Sequence, residues 1–120
     1  MTERCELIIP GSGRAVVVRV AAAFGLTAAE LIEPSRWTDR VRARNAAVWL
    51  LRTLPVSCGA SGTRRRSFSE IGQLLGRERT SARHACNRCA ALMDRDPDYA
   101  AKVLRLQREL SPPAALGMAA

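Results

Sequence analysis

The segment 67–94 constrains the fold most, because it joins a well-marked helix start to a glycine break and a second helical stretch. Ser67 and Glu70 have the spacing of a capping box, which opens a short helix. Gly76 breaks that helix, since a residue without a Cβ adopts the left-handed conformation most easily. Gly72 is small where the two helices of a helix-turn-helix must approach closely. The segment therefore predicts a helix-turn-helix. Its inward positions are Ile71, Leu75, Ala82, Ala85 and Cys86.

The second helix of this unit, predicted from about Glu78 to Asp94, has two distinct faces when its residues are spaced about 100° apart. Its apolar face consists of Ala82, Ala85, Cys86, Cys89 and Met93. Its other face consists of Thr80, Ser81, Arg83, His84, Asn87 and Arg88. These outward residues are the types that contact base edges and phosphates. An ordinary solvated face is the alternative, but such a face usually includes acids, and none occurs from Arg79 to Met93.

The remaining helices are predicted from apolar spacing, capping residues and the stops that proline and glycine impose. They span about 14–24, 27–32, 38–54 and 97–110. Residues 55–66, rich in glycine and serine, are predicted to form a mobile loop. The expected fold class is therefore all-α, a small helical bundle that forms one domain over 14–110. A flexible lead-in (1–13) and a flexible tail (111–120) are expected to flank it.

Positive charge is concentrated in the middle of the chain. The net charge is +8 overall, and residues 36–88 carry twelve arginines but only three acids. This distribution fits binding to a polyanion, whereas a general bias toward arginine, the alternative, would spread along the chain. We expect phosphates to be held by Arg36, Arg40, Arg42, Arg52 and Arg64–Arg66, and affinity to fall steeply with salt.

Several function classes lack support in the sequence. No signal peptide and no long apolar span occur, so a cytoplasmic protein without a membrane partner is expected. No phosphate-binding loop and no catalytic constellation is visible, so neither an enzyme nor a cofactor is expected. Four cysteines in such a chain favour free thiols. Cys86 and Cys89 are interpreted as small buried residues rather than metal ligands, and His84 as a phosphate or base contact.

Residues Ser67 to Ala85, SFSEIGQLLGRERTSARHA, resemble the C-terminal DNA-binding domain (domain IV) of the bacterial replication initiator DnaA. That family has a pattern close to S-x-x-E-I-G-x-x-F-G-[x]-R-D-H-T-T-V-x-H-A. Upstream, VAAAFGLT at 20–27 and RARNAA at 42–47 are similar to further parts of the family domain. The resemblance covers roughly residues 16–110 and implies a bundle of the Trp-repressor and DnaA domain IV type.

The resemblance also implies roles for individual residues. Arg44 matches an arginine that enters the minor groove, and Arg52 matches a basic position that faces phosphate. Glu78, Arg79 and Thr80 match residues that read bases in the major groove. Arg77, Ser81 and His84 match positions at or beside backbone contacts. With two neighbouring arginines, the predicted DNA-binding set is Arg42, Arg44, Arg52, Arg77, Glu78, Arg79, Thr80, Ser81, His84 and Arg88.

Two departures from the family pattern bear on specificity. Arg79 stands where the family has histidine, and Glu78 stands where it has aspartate. Arg79 is able to bind guanine through two hydrogen bonds, which a histidine is not. The expected function is sequence-specific binding of duplex DNA at the nucleoid, without its own ATPase. Its role is that of a transcriptional regulator or of a modulator that competes with the initiator at its boxes.

Two other functions stay open at this point. The first is a protein-interaction module that keeps the fold and binds nucleic acid only non-specifically. The departures from the family pattern at Glu78 and Arg79 motivate this alternative. RNA binding through Arg64–Arg66 is the other. The target sequence and the oligomeric state do not follow from the sequence.

Overall fold

The structure, a computed structural model, describes residues 12–57 and 62–111. Its helices are α1 (Gly13–Ala23), α2 (Ala28–Ile32), α3 (Thr38–Thr53), α4 (Phe68–Leu75), α5 (Arg79–Arg95) and α6 (Pro97–Leu110). Two short strands, β1 (Pro55–Ser57) and β2 (Thr63–Arg65), lie between α3 and α4. The expected all-α bundle is confirmed. Most of the predicted lead-in and tail lies outside the described residues, although Ser12 and Gly13 belong to the start of α1 rather than to a lead-in.

The long helix α3 is the centre of the bundle, because it packs against α1, α2, α4, α5 and α6. Its buried residues are Ala43, Ala46, Ala47, Val48, Leu50 and Leu51. Three alanines on the buried face let neighbouring helices approach closely, which suits a chain in which aromatic residues are only 4% of the sequence. The helix ends at Thr53, one residue before the predicted end, because the residue that precedes Pro55 is pushed out of the helical conformation.

The two N-terminal helices begin at side-chain caps. The Ser12 hydroxyl accepts a hydrogen bond from the Ala15 amide at 3.1 Å, and this cap opens α1 one residue before the predicted start. In α2 the predicted capping box is present, since Thr27 and Glu30 each accept from the other's backbone N–H. Residues 16–18 are three valines, a type that favours strands, yet they lie in the predicted helix, with Val16 and Val17 buried.

A β-hairpin replaces part of the predicted mobile loop. Strand β1 pairs antiparallel with β2, so that Pro55 lies opposite Arg65 and Ser57 opposite Thr63. The prediction of a loop throughout 55–66 is therefore wrong for both strands, while residues 58–61 lie outside the described residues. Arginines tie the hairpin to its neighbours: Arg64 donates two hydrogen bonds of 2.8 Å to the Glu70 carboxylate.

The hairpin is also joined to the end of α3. Arg52 on α3 donates to the Arg66 carbonyl oxygen at 2.7 Å, and its guanidinium lies 4.5 Å from the centre of the Phe68 ring. In the opposite direction, Arg66 donates to the Leu51 carbonyl oxygen at 3.4 Å. The Leu51 carbonyl oxygen and the nearby negative charge of Glu70 offset part of the cost of burying Arg66, a residue that is only 6% exposed.

Helices α4 and α5 form the predicted helix-turn-helix. Ser67 and Glu70 complete the capping box of α4, and Gly76 ends this helix in the left-handed conformation with φ +66°. The Arg77 amide then donates to the Gly72 carbonyl oxygen at 2.8 Å. A Cβ on Gly72 would clash with the carbonyl oxygen of Arg77, which confirms a close approach at this glycine.

The C-terminal helix α6 closes the bundle against α3 and α5. Asp96 caps its first turn, and the Tyr99 hydroxyl donates to the Arg42 carbonyl oxygen at 2.8 Å. The Tyr99 ring lies 6.1 Å from that of Phe24 at the end of α1. Across the part of the chain that the structure describes, every helix is too short or too polar to cross a membrane.

The two glycines of the helix-turn-helix are expected to tolerate alanine to different degrees. Gly76→Ala has open space but a left-handed backbone, and should lower the free energy of unfolding by about 1 kcal/mol. Gly72→Ala meets the backbone of the turn and should lower it by roughly 3 kcal/mol. Urea denaturation of both variants measures the difference. Equal losses would contradict the close approach at Gly72.

The ion pair between Arg64 and Glu70 should make stability depend on pH. Hydrogen bonds from the Arg64 side chain, and then from the Ser67 backbone, lower the pKa of Glu70 to about 2 from an ordinary 4.5. Its contribution to stability is therefore complete above about pH 4.5 and is lost as the pH falls toward 2. Thermal unfolding across this range should show a weaker acid loss in Glu70→Gln. The control is Asp94→Asn, which removes an exposed carboxylate on another helix and should keep the wild-type slope.

Candidate nucleic-acid interface

The outward face of α5 is the central feature of the candidate interface. All six residues assigned to it from the sequence are exposed: Thr80, Ser81, Arg83, His84, Asn87 and Arg88. On the opposite face, Ala82 and Cys89 are buried. The half-buried residues Ala85, Cys86 and Met93 pack against the core. The predicted division of this helix into two faces is confirmed, and polar and cationic side chains alone occupy its exposed first three turns.

The N-terminus of α5 combines exposed side chains with an N-cap residue that makes no side-chain hydrogen bond to the helix. Glu78 occupies the N-cap position, but its side chain makes no capping hydrogen bond. Arg79 and Thr80 follow in the first turn, which contains no acid, and both are exposed. The first amides of a helix point outward with partial positive charge, so this end of α5 favours an approaching negative group.

A groove of about 330 Å³ lies between α5, the first turns of α3 and the segment that joins α2 to α3. Its walls bring together five residues of the predicted phosphate and DNA contacts: Arg36, Arg44, Arg77, Ser81 and Arg88. No carboxylate belongs to its lining. Four guanidinium groups around one groove, without a neutralising acid in its walls, form a strongly positive surface for an anion.

Arg44 is fixed inside this groove by the backbone of the α2–α3 linker. Its guanidinium donates to the carbonyl oxygens of Leu31 at 3.1 Å and Glu33 at 2.7 Å, with a longer contact of 3.5 Å to Ser35. Burial lowers the pKa of Arg44 from its usual value, and the positive charge of Arg77 lowers it further. Arg44 therefore holds the linker in place, in addition to any contact with DNA.

Arg77 links the helix-turn-helix to the same linker. Its side chain donates to the Ile32 carbonyl oxygen at 3.2 Å, at the end of α2. Its amide, as described above, closes the turn onto Gly72. The turn and the linker are thus held in one fixed relation, which sets the width of the groove between Arg36 and α5.

Other predicted phosphate contacts are used inside the protein. Arg66 is buried, so the prediction that it holds a phosphate is wrong. Arg64 is paired with Glu70, and Arg52 packs on Phe68. Arg40 donates to Glu33 at 2.9 Å and to Glu30 at 3.4 Å. The sequence shows the charge of these arginines but not the partner of each one. In the structure, neighbouring carboxylates and carbonyl oxygens accept hydrogen bonds from them.

Arg42 lies away from the groove. Its side chain lines a separate cleft of about 370 Å³ that also contains Asp39, Asp96 and Asp98. The residues that sequence reasoning missed are Ser35 and Asn45 in the groove wall and the exposed Trp37 beside it. The signal available for Ser35 and Trp37 was their place in the short connection that follows Pro34, between two predicted helices. Asn45 lies inside α3, in the segment 42–47 that resembles the family domain.

The two cysteines of α5 belong to its packed side. Both thiols are free, and the Cys89 sulfur lies 3.5 Å from the Tyr99 hydroxyl oxygen, whose proton is donated to the Arg42 carbonyl oxygen. Burial raises the pKa of Cys89 to about 11 and raises that of Cys86 as well. Both groups are therefore poor nucleophiles at neutral pH. The interpretation of Cys89 as a small buried residue is confirmed.

Comparison with known proteins gives a consistent result. Residues 14–89 match the family described as bacterial dnaA protein helix-turn-helix. The chromosomal replication initiator protein DnaA of Deinococcus radiodurans is 32% identical over 95 residues, which are 79% of this chain and 18% of that protein. Its counterpart in Nitrobacter hamburgensis is 29% identical over 111 residues, 88% of this chain and 22% of that protein. The chain thus spans about a fifth of the length of the curated relatives it matches.

Substitution of Arg44 should destabilise the protein even without DNA. Arg44→Gln removes the donor for the linker carbonyl groups, and the expected loss is about 2 kcal/mol in the free energy of unfolding. Chemical denaturation without nucleic acid measures it. Arg88→Gln is the matched control, because Arg88 is exposed in the same groove, and its stability should stay within about 0.5 kcal/mol of the wild type. Equal stability of both variants would mean that Arg44 does not hold the linker.

Proposed function

This chain belongs to the bacterial DnaA helix-turn-helix family, and we propose that it binds duplex DNA sequence-specifically by placing α5 in the major groove. Family membership supports DNA binding as such. The observation that carries the finer proposal is the exposed face of the first three turns of α5, which holds only cationic and hydrogen-bonding side chains and borders a groove walled by four arginines. An α-helix fits the width of the major groove, where each base pair presents a distinct hydrogen-bonding pattern.

Base recognition is assigned to the first turn of α5. The Arg79 guanidinium has the geometry for two hydrogen bonds to guanine, and the Thr80 hydroxyl serves either as donor or as acceptor. The Glu78 carboxylate, exposed at the N-cap, accepts from the amino group of cytosine. Because Arg79 and Glu78 replace the family's histidine and aspartate, the preferred sequence should differ from the initiator's box at the positions that these two residues read.

Contacts to the sugar-phosphate backbone are assigned to both walls of the groove. Ser81, His84 and Arg88 on α5 face one strand, with Arg77 at the turn. Arg44 reaches toward the minor groove only if phosphate or base oxygens replace the linker carbonyl groups that it now binds. Arg42 is left out of these contacts, because it lines the separate cleft that also contains Asp39, Asp96 and Asp98. Arg52 supports the interface through its packing on Phe68.

The biological role proposed is control of other proteins' access to DNA. The relatives are chromosomal replication initiators by name. A chain that reads a related site either competes with an initiator at its boxes or regulates transcription from its own sites. The 120 residues contain no phosphate-binding loop, so this segment acts on DNA without hydrolysing ATP itself. Its partner is then duplex DNA at the nucleoid.

The test is selection of bound sequences from a random duplex pool, with Arg79→Ala and Thr80→Ala run in parallel. The wild type should enrich one motif, and each variant should lose information at a different base pair, with a penalty of about 1–3 kcal/mol for the lost contact. Arg105→Ala on α6 is the control, because it removes an exposed arginine from a helix outside the interface, and it should select the wild-type motif.

The salt dependence separates the proposal from its alternatives. Specific binding should persist at a salt concentration that abolishes binding of unrelated duplex. If no motif is enriched and all binding disappears at modest salt, the chain does not read DNA sequence and a protein partner becomes the better hypothesis. If single-stranded RNA competes more strongly than the selected duplex, duplex DNA is not the preferred ligand and RNA binding becomes the better hypothesis.

A further inference from the structure

We propose that Trp37 is an additional DNA contact, whose indole ring packs against a deoxyribose of the backbone beside the arginine groove. This inference rests on the function proposed above and adds a residue that the family pattern does not supply. Trp37 is 74% exposed, compared with 47% for Val18 and 43% for Leu104, the other exposed large hydrophobic residues in the described ranges. An exposed tryptophan leaves a large apolar surface in water, and a partner that covers it gains that burial.

The backbone holds Trp37 in a defined position. Its amide donates to the Ser35 hydroxyl at 3.2 Å, and its carbonyl oxygen accepts from the Val41 amide at 2.9 Å. It occupies the N-cap position of α3, where serine, threonine, aspartate and asparagine are preferred, and makes no side-chain capping bond there. A tryptophan is thus unfavourable both as the N-cap residue and as a side chain in water, and its local contact with Arg40 leaves the ring 74% exposed.

The position of Trp37 is continuous with the groove wall. Ser35 and Arg36, which directly precede Trp37, line the groove. Arg44 contacts the Ser35 carbonyl oxygen from inside the groove. An arginine that binds a phosphate and an aromatic ring that covers the adjacent sugar form a complementary pair for a nucleic-acid backbone. Arg36 and Trp37, as neighbours at the edge of the groove, supply such a pair.

Charge around the ring favours DNA over an apolar protein surface as its partner. The Arg40 guanidinium lies 5.7 Å from the centre of the Trp37 ring, and Glu33 and Glu30 hold that guanidinium in place. Arg36 precedes the ring and the arginine groove begins beside it. Because Glu30 and Glu33 neutralise Arg40, the positive charge near the ring is that of the groove lined by Arg36, and a polyanion bound in this groove brings its sugars next to the indole.

The test uses the full chain and the two tryptophans, Trp37 and the half-buried Trp49. Anisotropy of a fluorescein-labelled duplex measures affinity, both for the selected motif and for a mixed-sequence duplex of equal length. Trp37→Ala should weaken binding to both duplexes about tenfold, because a sugar contact carries no sequence information. Trp37→Phe, which keeps an aromatic ring, should lose at most about threefold.

Intrinsic fluorescence gives an independent readout. In Trp49→Phe the single remaining tryptophan is Trp37, and its emission should be quenched when unlabelled duplex is added. In Trp37→Phe the remaining Trp49 should show little change under the same conditions. An unchanged melting temperature in Trp37→Ala would show that the loss of affinity is not a loss of fold.

The outcomes distinguish this inference from the proposed function. Absence of duplex binding by the wild type would remove the proposed function itself. Tight binding by the wild type, with equal affinity in Trp37→Ala and no quenching in Trp49→Phe, would overturn the role of Trp37 and leave the function intact. Unchanged DNA affinity together with a loss of self-association in Trp37→Ala, seen by sedimentation, would assign the ring to a protein contact instead.

Discussion

The hydrogen bond from the Arg77 amide to the Gly72 carbonyl oxygen, 2.8 Å long, fixes how α4 and α5 meet. It requires a residue without a Cβ at Gly72 and a left-handed residue at Gly76. The same residue, Arg77, extends its side chain to the end of α2. One turn therefore sets both the angle of α5 and its distance from the linker, and the shape of the positive groove follows from this angle and this distance.

Arginine side chains cover apolar residues and fill space at the edge of the core, a role that aromatic residues have in other small domains. Arg52 covers Phe68, Arg66 enters the interior beside the end of α3, and Arg44 organises a linker that lacks regular structure. The long apolar stem of arginine packs while its planar head satisfies carbonyl oxygens. Arginine side chains thus cover the edges of a core of alanine, valine and leucine. A high content of arginine therefore does not by itself measure the positive charge that is available to a ligand.

The helices were predictable because residues close in the sequence determine where each helix begins and ends. Capping residues at Ser67 and Thr27, and the stops at Gly76 and Pro55, fix boundaries to within a residue or two. The two faces of α5 followed from its period. The hairpin was not predictable, since its strands are three residues long and depend on partners of Arg64 and Arg66 elsewhere in the fold. The groove escaped prediction for the same reason: its walls come from segments that are distant in the chain.

Residues of the candidate interface fall into two groups, which differ in how strongly the fold constrains their substitution. Arg44 and Arg77 bind backbone carbonyl groups as well as facing the groove, so the fold constrains them whatever the target. Arg79, Thr80 and Arg88 project exposed side chains from a helix whose packing lies on its other side. Their replacement costs the fold little. The exposed face of α5 is therefore able to change through a few substitutions, while the scaffold that presents it is inherited unchanged.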